Sequence, residues 1–113
     1  MKLGFVGSGA ITEAVVTGLM KSRADISAVV VSPRSLHVAA RLAEMFPLVR
    51  VGINNQDVVD SADIVFLAIR PQIAEEVVRE LRFRAQQQVV SFIAAVQIDS
   101  LAGWIDVPVS ITR

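Results

Sequence analysis

Short apolar runs recur along the chain at Leu3–Val6, Ala28–Val31, Val49–Ile53, Ile64–Ile69, Val89–Ala94 and Val107–Ile111. Several are continuous, and this constrains the fold more than any other feature. A strand with one face in water alternates polar and apolar residues; a strand covered on both faces does not. Sheets covered on both faces are characteristically parallel, because each crossover between parallel strands lays a helix on the sheet. The segments between the runs carry helical spacing. Thr12–Lys21 puts Ala14, Val15, Gly18 and Leu19 on one stripe, and Leu36–Phe46 does so with Leu36, Ala39, Ala40, Leu42 and Ala43. Gln56–Ala62 predicts a short helix and Pro71–Leu81 a longer one with proline at its first position. Asp99–Ile105 predicts a last helix, capped by Asp99. The fold class is therefore α/β, a doubly wound and mainly parallel sheet of about six strands with helices on both faces.

Composition narrows the function classes. A chain of 113 residues suits one domain. With 53% hydrophobic and 19% charged residues it is too apolar for a disordered segment. Zero net charge gives no bulk attraction to nucleic acid or to an acidic membrane surface, so neither is expected as a partner. The absence of cysteine removes disulfides, thiolate metal sites and a cysteine nucleophile. The single histidine, His37, makes a histidine-based metal site or triad implausible and reads as a surface residue, so no metal ligand is assigned. No apolar stretch reaches the roughly 18 residues of a membrane span, and Met1-Lys2 leads directly into a strand without a signal-peptide pattern. The expected setting is cytoplasmic. The final residues, Ile111-Thr112-Arg113, come directly off a strand-like run, which favours a domain-length piece of a longer protein.

Gly7-Ser8-Gly9-Ala10-Ile11-Thr12 lies between the first strand and the first helix. Gly7 permits a tight turn and Gly9 lets backbone approach a pyrophosphate, which the helix N-terminus would attract. This is the position of the glycine fingerprint in a Rossmann-type dinucleotide-binding fold. Its third position usually holds Gly or Ala for close helix–strand packing; Thr12 departs from that and is expected to hold the helix slightly further off.

An acid at the end of the second strand ordinarily binds the adenosine ribose. Asp25 has about the right spacing but precedes that strand, so it is a decoy. The residues at the strand end are Ser32, Pro33, Arg34 and Ser35. A ribose 2′-phosphate calls for hydroxyl donors and a cation, which Ser32, Arg34 and Ser35 supply. Arg34 also precedes a helix N-terminus, where a cation is disfavoured unless an anion lies between them. NADP(H) is the predicted cofactor.

With these segments in view, the sequence resembles the N-terminal half of pyrroline-5-carboxylate reductase. That family's Gly-Ala-Gly-Asn-Met-Ala-Glu-Ala corresponds to Gly7-Ser8-Gly9-Ala10-Ile11-Thr12-Glu13-Ala14, and its Ser/Asn-x-Arg to Ser32-Pro33-Arg34. Its Asp-Asn corresponds to Asn54-Asn55, and its Val-Phe-Leu-Ala-Val-Lys-Pro-Gln to Val65-Phe66-Leu67-Ala68-Ile69-Arg70-Pro71-Gln72. Together, loop and resemblance assign to the cofactor Val6, Gly7, Ser8, Gly9, Ala10 and Ile11, then Ser32, Arg34 and Ser35. They add Asn55 on the adenosine side, Ala68, Ile69, Arg70 and Pro71 after the fourth strand, and Ala94 after the fifth. Arg70 stands where the family has Lys. Ile93 and Ala95 replace Ala and Gly, adding bulk near the expected nicotinamide end, and Arg113 is two residues out of step with the family's Arg-x-Met-Pro-Asn.

The resemblance implies an NADP-dependent oxidoreductase acting on C=N, in which NADPH delivers hydride to a cyclic imine to give proline, an amino-acid biosynthetic step. Residues 1–113 would be its dinucleotide-binding domain. The family's helical C-terminal domain, which binds substrate and forms the homo-oligomer, is absent from this chain. The chain alone is therefore expected to bind NADP(H) without appreciable turnover, and no catalytic residue is assigned. The departures leave room for another imine or ketone substrate. Rival readings are a related hydroxy-acid dehydrogenase, a deazaflavin-using reductase, or a non-catalytic NADP-sensing module.

Overall fold

The structure, a computed structural model, describes residues 1–7, 9–22, 25–34 and 36–113. Strand and helix alternate in the order β1 (Lys2–Val6), α1 (Ala10–Met20), β2 (Ala28–Val31), α2 (Leu36–Met45), β3 (Val49–Val51) and α3 (Asn55–Ser61). There follow β4 (Ile64–Leu67), α4 (Pro71–Glu80), β5 (Gln88–Ser91), α5 (Ile98–Trp104) and β6 (Ser110–Thr112). The sheet order is β3-β2-β1-β4-β5-β6, and every pairing is parallel. Phe5 sits in register with Val31 on one side and Phe66 on the other. The order reverses at β1, so successive units wind outward from the centre in both directions.

The continuous apolar runs are explained by the two layers that cover the sheet. On one face, Val16 of α1 and Ala39 and Leu42 of α2 pack on Leu3, Phe5, Val29 and Val31. On the other, Val58 and Val59 of α3, Ala74 and Val78 of α4 and Leu101 of α5 pack on Val6, Val30, Val65, Leu67 and Val89. Adjacent residues of β1 and β2 thus enter opposite cores, and every buried position of the two strands is apolar. The approach of α3 to β1 uses Gly4: a Cβ there would lie 2.8 Å from Ala62 Cβ and from Val58 Cγ1.

The crossover helix α3 is tied down at its carbonyl end by a later part of the chain. Arg84 donates to the carbonyls of Val59, Asp60 and Ala62, and the buried Gln87 donates to those of Val59 and Ala62. The Gln56 side chain pairs with the Arg82 backbone in both directions, at 2.8 Å each. These contacts satisfy carbonyls that a helix end leaves without partners.

Several local expectations differ. The last strand covers Ser110–Thr112 instead of Val107–Ile111. Pro108 has no N–H for a ladder, and its carbonyl accepts from Gln86 N instead. The buried stripe of α1 is Thr12 and Val16, with Ala14 and Gly18 exposed. In α2, Leu36 is 63% exposed, leaving Ala39 and Leu42 as the buried positions. Asp99 lies in the first turn of α5, whose N-cap is Gln97.

Candidate functional site

The carboxyl ends of β1 and β4 lie side by side, while α1 and α4 leave them on opposite faces of the sheet. Such a reversal opens a crevice at the strand ends. Gly7 ends β1 with φ +94°, and a Cβ there would stand 2.2 Å from the Ala68 carbonyl oxygen. Glycine is required on both counts. The Gly7 peptide is held from two sides. Its N–H donates to Ser32 Oγ at 2.9 Å, and its carbonyl accepts from the Thr12 hydroxyl. Both side chains are fully buried.

Gly9 is the N-cap of α1, with φ −96° and no side-chain cap. A Cβ at Gly9 would meet no protein atom within 4 Å, so the fold itself does not demand glycine there. The open space lies beside uncapped N–H groups carrying the positive end of the helix dipole.

A cleft of about 380 Å³ runs across these strand ends. Of the residues assigned from sequence, it is lined by Val6, Gly7, Gly9, Arg34, Asn55, Ala68, Ile69 and Arg70. Ile73 and Val77 of α4 join them. Their i, i+4 spacing is that of any core-facing helix stripe, so sequence gives no signal for a role at the cleft. Arg34 follows β2 and Arg70 precedes α4, on opposite sides of β1. Neither guanidinium forms a salt bridge among the described residues, and no carboxylate is among the described residues lining the cleft.

Ala10, Ile11, Pro71 and Ala94 are exposed and stand outside the lining. Ser8 and Ser35 fall outside the described residues. Ser32 is buried beneath the loop, where its hydroxyl oxygen accepts from Gly7 N–H, and it is not among the described residues lining the cleft. Ile93 requires a correction. It is 2% exposed within the α3–α5 core, so its bulk does not intrude on the site. Thr12 is buried, and its hydroxyl donates to the Gly7 carbonyl. Ala95 departs from the family's glycine at a position with φ +62°, where a side chain is strained.

The two asparagines divide their work. Asn54 caps α3, accepting from Asp57 N–H at 2.8 Å, which leaves Asn55 to line the cleft. Asp57 in turn accepts from Ile53 N–H and from Arg50 Nη1, both at 2.9 Å. The hydrogen bond from Arg50 and then that from Ile53 hold the Asp57 carboxyl down to about 2. This network fixes the turn that carries Asn55. No group of three or more His, Cys, Asp or Glu residues among those described could hold a metal ion. No helix among them is long and apolar enough to cross a membrane.

The family model for NADP oxidoreductase, coenzyme F420-dependent, matches residues 2–95. The chain belongs to this family. Every lining residue of the cleft falls inside the matched span. A pyrroline-5-carboxylate reductase from Corynebacterium melassecola is 30% identical over 104 residues, covering 88% of this chain and 38% of that protein. The structure of 1-pyrroline-5-carboxylate reductase from Streptococcus pyogenes superposes with TM-score 0.78 at 31% identity, over 96% of this chain and 40% of that one. Pyrroline carboxylate reductase from Plasmodium falciparum, whose structure holds NADP, shares the fold at TM-score 0.73 and 20% identity, over 92% of this chain and 37% of that one. The resemblance read from the sequence is found again in these proteins. The chain spans less than half the length of the curated relatives it matches.

Proposed function

We propose that residues 1–113 are the NADP(H)-binding domain of an oxidoreductase that reduces a small cyclic imine of the pyrroline-5-carboxylate type. The carrying observation is the chemistry of the cleft. Among the described residues, it combines a helix N-terminus at Gly9 without a side-chain cap and a guanidinium just beyond β2 that forms no salt bridge, and no carboxylate lines it. A dinucleotide with a 2′-phosphate fits this set of groups: pyrophosphate at Gly9 and the α1 N–H groups, 2′-phosphate at Arg34, and the adenosine side at Asn55. The strand ends at Ala68–Arg70 and the turn at Ala94 then flank the nicotinamide half. NADPH bound in this way supplies the hydride, and the protein orients it. The resemblance assigns the groups that bind the imine and form the oligomer to the part of the relatives that this chain does not span. Residues 1–113 by themselves would then bind cofactor without turnover.

The reading is tested by NADPH and NADH affinities of the wild type and Arg34→Ala. The substitution should weaken NADPH by roughly tenfold to a hundredfold, on the order of 1.5–3 kcal/mol, and leave NADH unchanged. Equal affinity of the wild type for both cofactors, or equal weakening of both, refutes the 2′-phosphate role. The family's description supports one second reading, in which hydride passes between NADP(H) and a deazaflavin. NADPH-dependent bleaching of coenzyme F420 by a protein extended to the length of the relatives distinguishes it from imine reduction.

A further inference from the structure

We propose that Thr12, at the third position of the glycine fingerprint, is a positioning residue for the cofactor: through its hydroxyl it locks the Gly7 peptide in the binding-competent shape. The inference rests on the NADP(H) reading above and assigns a function that composition and motif matching leave blank. A fingerprint usually has Gly or Ala at this position so that the helix can close on the strand. Here the side chain is larger, yet it is fully buried, and its hydroxyl donates to the Gly7 carbonyl.

Gly7 needs such a restraint. Its φ of +94° lies in a region that glycine enters freely but also leaves freely. Ser32 Oγ fixes the N–H side of the residue at 2.9 Å, and Ala68 blocks movement toward β4. On the carbonyl side, Thr12 is the side-chain partner among the described residues. The three restraints come from the residue after β2, the residue after β4 and α1, so they fix Gly7 relative to the strand ends and to the helix whose N-terminus opens on the cleft. Thr12 lines no part of the cleft, so its effect on a bound phosphate passes through Gly7. Freed from the hydroxyl, the peptide would sample other orientations, and binding would have to restore the productive one.

The test compares Thr12→Val, which keeps the shape and removes the hydroxyl, with Thr12→Ser, which keeps the hydroxyl. NADPH and NADH dissociation constants are measured by fluorescence titration at a temperature well below each variant's unfolding midpoint, with that midpoint taken from thermal melts. Thr12→Val should weaken NADPH and NADH by the same factor, about tenfold, the scale of one hydrogen bond. Thr12→Ser should remain within about twofold of wild type on the same scale. The unchanged NADPH/NADH ratio separates this from loss of Arg34, which changes the ratio. If Thr12→Val does not fold, Thr12→Ala takes its place in the comparison with Thr12→Ser. Wild-type affinity in a folded variant lacking the hydroxyl overturns the proposal while leaving the cofactor reading intact. The same is true if the serine variant binds as weakly as the valine variant. A wild type that binds neither cofactor overturns the cofactor reading and this proposal with it.

Discussion

Replacing Gly7 and Gly9 separately by alanine should split folding from binding, although the two positions are only two residues apart. At Gly7 the substitution meets two obstacles. A residue with a Cβ at positive φ costs about 1–2 kcal/mol. The Cβ would also stand 2.2 Å from the Ala68 carbonyl oxygen and 2.8 Å from its carbon, and these are backbone atoms that cannot rotate aside. Relief requires the carboxyl ends of β1 and β4 to separate, straining the Ala68 N–H bond to the Val6 carbonyl, 2.9 Å long. Overpacking of this kind adds about 1–3 kcal/mol. For a chain of this length 1 kcal/mol corresponds to about 4 °C, so Gly7→Ala should lower the unfolding midpoint by about 8–20 °C. At Gly9 φ is −96° and the Cβ meets nothing within 4 Å. The loss of a favourable N-cap residue and the gain from a stiffer unfolded chain nearly offset, so the midpoint should stay within about 4 °C. The new methyl group would nevertheless occupy the space a pyrophosphate needs, and NADPH affinity should fall at least about tenfold. Thermal melts and fluorescence titration of both variants make the comparison. If Gly9→Ala binds NADPH like the wild type, or if Gly7→Ala melts with it, the assignment of one glycine to the ligand and the other to the fold is wrong.

Other outcomes follow from local geometry. Ala95→Gly removes strain at φ +62° and should raise stability by about 0.5–1 kcal/mol, read as a rise of about 2–4 °C; no rise refutes the strain. Gly4→Ala puts a Cβ 2.8 Å from Ala62 Cβ and Val58 Cγ1, and should cost about 1–3 kcal/mol in urea unfolding by pushing α3 off β1. Asp57 titrates at about 2 in the folded chain against an ordinary 3.8, so its contribution is complete above pH 4 and disappears as pH falls toward 2. Arg50 is 52% exposed, and solvent screening limits that contribution to about 1 kcal/mol. Asp57→Asn should therefore flatten the acid limb of the urea midpoint between pH 4 and pH 2; an unchanged limb refutes the pairing.

Sequence reading succeeded where one chain segment determines the outcome and failed where two distant segments share an atom. Continuous apolar runs required a sheet covered on both faces, and the two cores use adjacent residues of β1 and β2 in that way. The turn at Gly7, the open position at Gly9 and the exposed Arg34 were legible because each depends on local backbone and charge. The Ser32 hydroxyl accepts from a peptide 25 residues away, a partner that no local pattern records. The fingerprint pattern gives Thr12 only a packing role, whereas its hydroxyl meets the Gly7 carbonyl five residues earlier, just outside the helix. Ile93 was placed by analogy of position, and the turn after β5 directs it into the core instead. The last strand slipped because apolarity drew the eye to Val107 and Val109, while Pro108 forbids the ladder.

The clamp on α3 governs how the domain can assemble. Val59, Asp60 and Ala62 give their carbonyls to Arg84, and Val59 and Ala62 give theirs also to Gln87, residues that a growing chain makes more than twenty positions later. Until then the crossover helix lacks these side-chain donors at its carbonyl end. The first three strands and their helices therefore cannot be completed as a self-sufficient half. A fragment ending after β4 should be frayed at the crossover, and folding should gain most of its cooperativity when the connector before β5 arrives.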